Sequence, residues 1–102
     1  MPEEAAVLTG TIEEVAEKAE AILKTVAPTA YAAAQEWDDR IDCLIRLPDG
    51  SVVGEMVSLG EATEGRIREA GERIQKKFLG ISVLLRDELW APIRIVRDSG
   101  RS

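Results

Sequence analysis

The chain contains no histidine and a single cysteine. Without histidine it lacks the side chain that most often serves as a general base near neutral pH and as a ligand to a transition metal. One cysteine and no histidine also exclude a Cys–His nucleophile and a zinc site of the usual kind. Cys43 sits in an apolar pattern, where a lone cysteine behaves as a small buried hydrophobe rather than a reactive thiol. Aromatic residues are only 4% of the chain, so Trp37, Trp90, Phe78 and Tyr31 are expected to be the few large pieces of an aliphatic, alanine-rich core. No apolar run approaches the roughly 20 residues of a membrane-spanning helix. Met1-Pro2-Glu3-Glu4 is acidic where an export signal would be basic. The expectation is a cytoplasmic domain without membrane attachment.

Positive charge is also scarce. The net charge of −6 disfavours nucleic acid and acidic membranes, which call for a basic surface. Residues 1–60 carry twelve acids against four bases, and residues 61–102 carry seven acids against nine bases. Faces of opposite sign on the two halves would favour head-to-tail or two-fold self-association.

At 102 residues the chain is expected to form one domain, 1–102, with 1–10 and 98–102 as flexible ends. Thr11 followed by Glu14 reads as a capping box, in which hydroxyl and carboxylate each satisfy an orphaned amide at a helix start. Ile12, Val15, Ala16, Ala19, Ile22, Leu23 and Val26 then recur at helical spacing up to Pro28. The alanine-rich residues 29–37 are expected to form a shorter second helix, or else an irregular link. Two strands follow around Pro48-Asp49-Gly50. A type I turn with a bulge suits those residues but pairs Cys43 with Glu55. A four-residue loop pairs Leu47 with Val52 and leaves Ile41, Cys43, Ile45, Leu47, Val52 and Met56 on one apolar face, and that register is the expected one.

A helix over residues 61–79 is predicted from the stripe Ile67, Ala70, Gly71, Ile74 and Phe78. Its outer face carries Glu64–Arg68, Glu69–Arg73 and Glu72–Lys76 at i,i+4. Gly71 suggests a close approach to the sheet, and Gly80 a C-cap. Residues 81–86, apolar on both faces, read as a central strand. Residues 89–97 read as an edge strand, because Pro92 cannot donate to a ladder. The expected fold is therefore α/β (α+β), in the order α(α)ββαββ, with helices mainly on one face of a small mixed four-stranded sheet.

Little chemistry is written into this pattern. Residues 59–65 hold two glycines ahead of a helix but no following Lys-Ser/Thr, so they are a helix start rather than a phosphate loop. Asp42 and Glu55 remain. In the expected register they are diagonal neighbours on one face, near enough to share a hard divalent cation such as Mg²⁺. An Asp on one strand, a Glu-x-x on the next, then a helix with Gln75 and a following apolar strand, resembles the core of the PD-(D/E)XK, restriction-endonuclease-like nucleases over residues 41–86. The resemblance implies that Asp42 and Glu55 bind the metal and that a lysine two positions after the second acid assists the attacking water. Val57 stands at that position, so Lys76 or Lys77 would have to supply the charge.

Two functions from different classes follow. The leading expectation is a non-catalytic module with no cofactor, which binds a protein partner or itself, as a dimer. It would use either the half-polar hairpin face with Leu44, Val53 and Val57, or the last strand's edge between Trp90 and Val96. The alternative is a Mg²⁺-dependent nuclease or its inactive descendant.

Overall fold

A computed structural model describes the backbone of residues 5–98 and the side chains of residues 5–82. It contains a helix α1 (Ile12–Val26), strands β1 (Tyr31–Gln35), β2 (Arg40–Arg46) and β3 (Val52–Ser58), and a long helix α2 (Glu64–Asp98). Short 3-10 turns, Glu36–Asp38 and Leu59–Glu61, lead out of β1 and β3. The strands form a three-stranded antiparallel sheet in the order β1-β2-β3. Both helices lie on one face of that sheet, and a core of Val15, Ala19, Leu23, Ile41, Ile45, Val57, Ile67 and Ile74 fills the space between the layers.

Helix α1 forms as its sequence predicts. Glu14 N donates to Thr11 Oγ1 at 3.1 Å while Thr11 N donates to Glu14 Oε1 at 2.7 Å, closing the capping box. Val15, Ala16, Ala19 and Leu23 are its buried residues. The stripe of α2 is buried as expected through Ile67, Ala70 and Ile74, and Cys43 is fully buried. Gly71 does make a close approach, but to α1 rather than to the sheet. A Cβ there would come within 2.6 Å of Val26 Cγ2 and 3.1 Å of Leu23 Cδ2. The N-terminal stretch is tied down twice: Val7 bridges Thr63 with Leu8 N donating to Ala62 O at 2.8 Å, and Lys18 Nζ donates to Thr9 O at 2.7 Å.

Three expectations are corrected. Residues 29–37 form no helix; they supply β1 and the turn after it. An isolated helix of that length is marginal, and alanine offers it no large apolar stripe. As a strand the same backbone is satisfied by β2, and the hairpin gains the third strand it needs.

The second correction concerns residues 81–97, which continue α2 instead of forming two strands, so the fourth strand is missing. A doubly apolar run does not separate a buried strand from a helix by periodicity. Leu84, Leu85, Arg86, Glu88, Leu89 and Ala91 are strong helix formers; Gly80 costs only about 1 kcal/mol inside a helix, and the larger cost, about 3 kcal/mol, falls on Pro92, six residues before the helix ends.

The third correction is the hairpin register. Arg46 pairs with Val52, Cys43 with Glu55 and Asp42 with Met56, one residue away from the expected pairing. Turn chemistry decides it. Gly50 N donates to Leu47 O at 2.9 Å, Leu47 N donates to Ser51 O at 2.7 Å, and Gly50 takes a φ of 93° that glycine tolerates. Asp49 Oδ1 adds bonds from Ser51 N and Oγ at 3.0 and 2.6 Å. The shift buries Val53 and Val57 and turns Val52 and Met56 outward.

Candidate interaction surface

Alternation along each strand separates two faces with different chemistry. The inner face holds Ile41, Cys43 and Ile45 of β2 with Val53, Glu55 and Val57 of β3. Glu55 is therefore an acid on the core side, directly opposite Cys43. It survives there because α2 brings two arginines over it. Arg73 donates to both carboxylate oxygens, from Nε at 2.8 Å and Nη2 at 2.6 Å, and Arg66 Nη1 donates at 2.8 Å. Hydrogen bonds from Arg73, and then from Arg66, outweigh partial burial and hold the Glu55 carboxyl down to about 2. Burial, with Glu55's charge beside it, pushes the Cys43 thiol up to about 11, which removes it as a nucleophile at neutral pH.

The outer face carries Tyr31, Ala33 and Gln35 of β1, Asp42, Leu44 and Arg46 of β2, and Val52, Gly54 and Met56 of β3. Asp42 belongs to a polar strip at one end of it. Arg40 Nε donates to Asp42 Oδ1 at 3.0 Å, Gln35 Nε2 donates to Oδ2 at 3.0 Å, and Arg40 Nη1 reaches Asp38 at 2.9 Å. Between the strip and the exposed Arg46 at the other end the face is apolar. Leu44 lies across Gly54, where a Cβ would meet Leu44 Cδ2 at 2.5 Å, and Met56 is 60% exposed. No described element covers this face.

Trp37 stands at the polar end, 99% exposed, on the turn between β1 and β2. It was expected in the core. The turn beneath it is fixed: Asp39 adopts the left-handed conformation (φ 47°), and Leu59 N donates to Asp39 O at 2.9 Å.

The site residues expected from sequence are dispersed. Asp42 and Glu55 lie on opposite faces of the sheet and each already has cationic partners, so they do not converge on one cation. Among the described residues no group of three or more acids or cysteines could hold a metal ion. The Mg²⁺ implied by the nuclease resemblance thus finds no fitting donor set. Lys76 and Lys77 are exposed, and the cations that reach Glu55 are Arg66 and Arg73 instead. Gln75 keeps a buried Oε1 without a hydrogen-bond partner. Of the expected interaction residues, Leu44 is on the outer face, half-buried, whereas Val53 and Val57 are in the core beneath α2. Trp90 and Val96 fall on α2 rather than on a strand edge, and their side chains lie outside the described residues.

Sequence reasoning missed Arg66, Arg73, Trp37 and Met56. The i,i+7 spacing of the two arginines, one helical face, was the available signal for the first pair. No described helix is long and apolar enough to cross a membrane. No family model, curated protein or solved structure matches the chain.

Proposed function

We propose that the chain is a non-catalytic protein-interaction module that self-associates through the outer face of its sheet as a two-fold dimer. The observation that carries this reading is the contrast between the faces. One is covered by both helices, while the other offers Met56, Val52 and part of Leu44 to solvent, and the exposed Trp37 stands on the turn at its polar end. An exposed tryptophan on a fixed turn loses little freedom on binding and supplies the large amphipathic contact that interfaces concentrate.

A two-fold arrangement suits the charges. Packing two β2 strands antiparallel across the axis sets Arg46 of one copy against the Asp38–Arg40–Asp42 cluster of the other, in which two acids outnumber one cation. The face measures about 20 by 14 Å, so two copies would bury roughly 600 Å² in all besides Trp37, below the range of stable dimers, and the association is expected to be weak and reversible, at about 100 μM. The rival nuclease reading gains nothing from the placement of Asp42 and Glu55.

Sedimentation equilibrium between about 1 and 500 μM tests the proposal across the expected dissociation range. The mass should rise from 11.1 kDa toward twice that value, and Met56→Lys with Trp37→Ala should return it to the monomer. A mass of 11.1 kDa throughout would overturn self-association.

A further inference from the structure

Among the described residues strand β1 is an edge, paired only with β2, and it faces a groove of about 530 Å³ along α1. Amide direction alternates along a strand. Ala32 N points away from β2 and donates to Glu20 Oε1 at 3.0 Å, so Ala34 N also faces the groove. The Glu20 carboxylate occupies the place that a neighbouring strand's carbonyl would take. The floor and lower wall are kept open by small side chains, Ala16, Ala21, Ala32 and Ala34. The dimensions suit one more strand: the five residues of β1 extend about 17 Å, and the α1 wall from Glu13 to Lys24 extends about 16 Å.

The rim is acidic. Glu13, Glu17 and Glu20 succeed one another along the α1 wall, and Glu36 lies against Glu13 at one end. There a hydrogen bond between Glu36 and Glu13 holds the Glu36 carboxyl above its ordinary range and lowers that of Glu13, so two acids crowd together. Lys24 also lines the groove, at the other end, with its Nζ on Ala30 O at 2.9 Å.

The geometry points to strand addition at β1 by an extended segment of another protein that carries lysine or arginine at alternate positions. Its backbone would take the outward amides of Ala32 and Ala34, and its cations would meet Glu13, Glu17 and the released Glu20. A second copy of this chain fits poorly, because β1 reads Tyr-Ala-Ala-Ala-Gln and its groove would bring a second set of glutamates against the first. The inference is independent of the outer-face dimer, which uses the other side of the sheet.

The test is fluorescence anisotropy of the full chain with two labelled nonapeptide probes, alternating Lys-Thr and alternating Glu-Thr, alongside ¹⁵N amide shifts. The lysine probe should bind, weaken at least tenfold when salt rises from about 50 to 300 mM, and shift the Ala32 and Ala34 amides most. The glutamate probe should not bind. Ala34→Pro removes an outward donor without touching the β1–β2 ladder and should weaken binding at least tenfold. Glu17→Lys, which leaves the backbone intact if the proline variant does not fold, should also weaken it at least tenfold. The Trp37→Ala, Met56→Lys variant should bind like wild type even as a monomer, which separates this site from the dimer face. No binding, binding unaffected by Glu17→Lys, or shifts spread over the surface without β1 would each overturn strand addition. Preference for the glutamate probe would overturn the choice of partner.

Discussion

Replacing Glu55 by glutamine probes the Glu55–Arg66–Arg73 cluster that ties the sheet to α2. The carboxyl titrates at about 2 in the fold against an ordinary 4.5. A group whose folded pKa is lowered stabilises the fold above its unfolded pKa and loses that contribution as pH falls through the folded value. The window is therefore between about 4.5 and about 2. Taken whole, the lowering corresponds to about 3 kcal/mol of preference for the charged form. The Arg73 side chain is 50% exposed, however, so water screens the pair and about 1–2 kcal/mol is the better expectation. Glu55→Gln should accordingly cost about 1–2 kcal/mol at pH 7 in urea denaturation, or roughly 4–8 °C of melting temperature per kcal/mol for a domain near this size. The gap between wild type and variant should close as pH falls from 4.5 to 2, because the wild-type carboxyl then becomes as neutral as the amide, and it should narrow at high salt. A gap that stayed constant down to pH 2, or no gap at pH 7, would refute the account of why an acid sits on the core face.

Ile74→Ala removes a fully buried side chain and should cost about 2–5 kcal/mol by chemical denaturation. Gly80→Ala should stabilise by about 0.5–1 kcal/mol, because Gly80 is interior to α2 with open space at its Cβ position; a destabilisation would mean that the helix ends there. Gly71→Ala has the same propensity gain, but its methyl would press on Val26 Cγ2, so its melting temperature should fall below that of Gly80→Ala. Millimolar Mg²⁺ or Mn²⁺ should leave the melting temperature unchanged, since Asp42 and Glu55 face opposite ways; Mn²⁺-dependent plasmid nicking lost in Glu55→Gln would revive the nuclease reading.

The parts legible in the sequence are those where one signal acts alone. Thr11 and Glu14 announce α1, and its apolar positions recur without conflict. The Ile67-Ala70-Ile74 stripe is equally clear, and so is the burial of Cys43. Where two signals competed, the more visible one misled. An all-apolar hairpin face looked better than one with a glutamate on it, yet the shifted register exchanges Val52 and Met56 for Val53 and Val57 and loses almost no apolar burial. What remained against it was the desolvation of Glu55. That cost is offset from α2, by Arg66 and Arg73, eleven and eighteen residues away in sequence. A pattern read within one hairpin contains no such term, whereas the turn preference of Pro48-Asp49-Gly50 does act locally and settled the outcome.

Arg73 shows the same limit from the other side. At i,i+4 from Glu69 it reads as half of a surface pair of small worth. It turns to Glu55 instead, because a partly buried carboxylate offers a bidentate partner in a lower dielectric than an exposed glutamate does. One-residue slips invert faces, so by offsetting the desolvation of Glu55 this long-range contact makes tolerable the surface that the turn's register presents. With Glu55 held inward, Met56 and Val52 must point out, Leu44 must lie over Gly54, and Asp42 must join Arg40 and Gln35 away from Glu55. The apolar outer face proposed to bind a partner is thus set by the turn and made tenable by the arginines on the opposite side of the sheet.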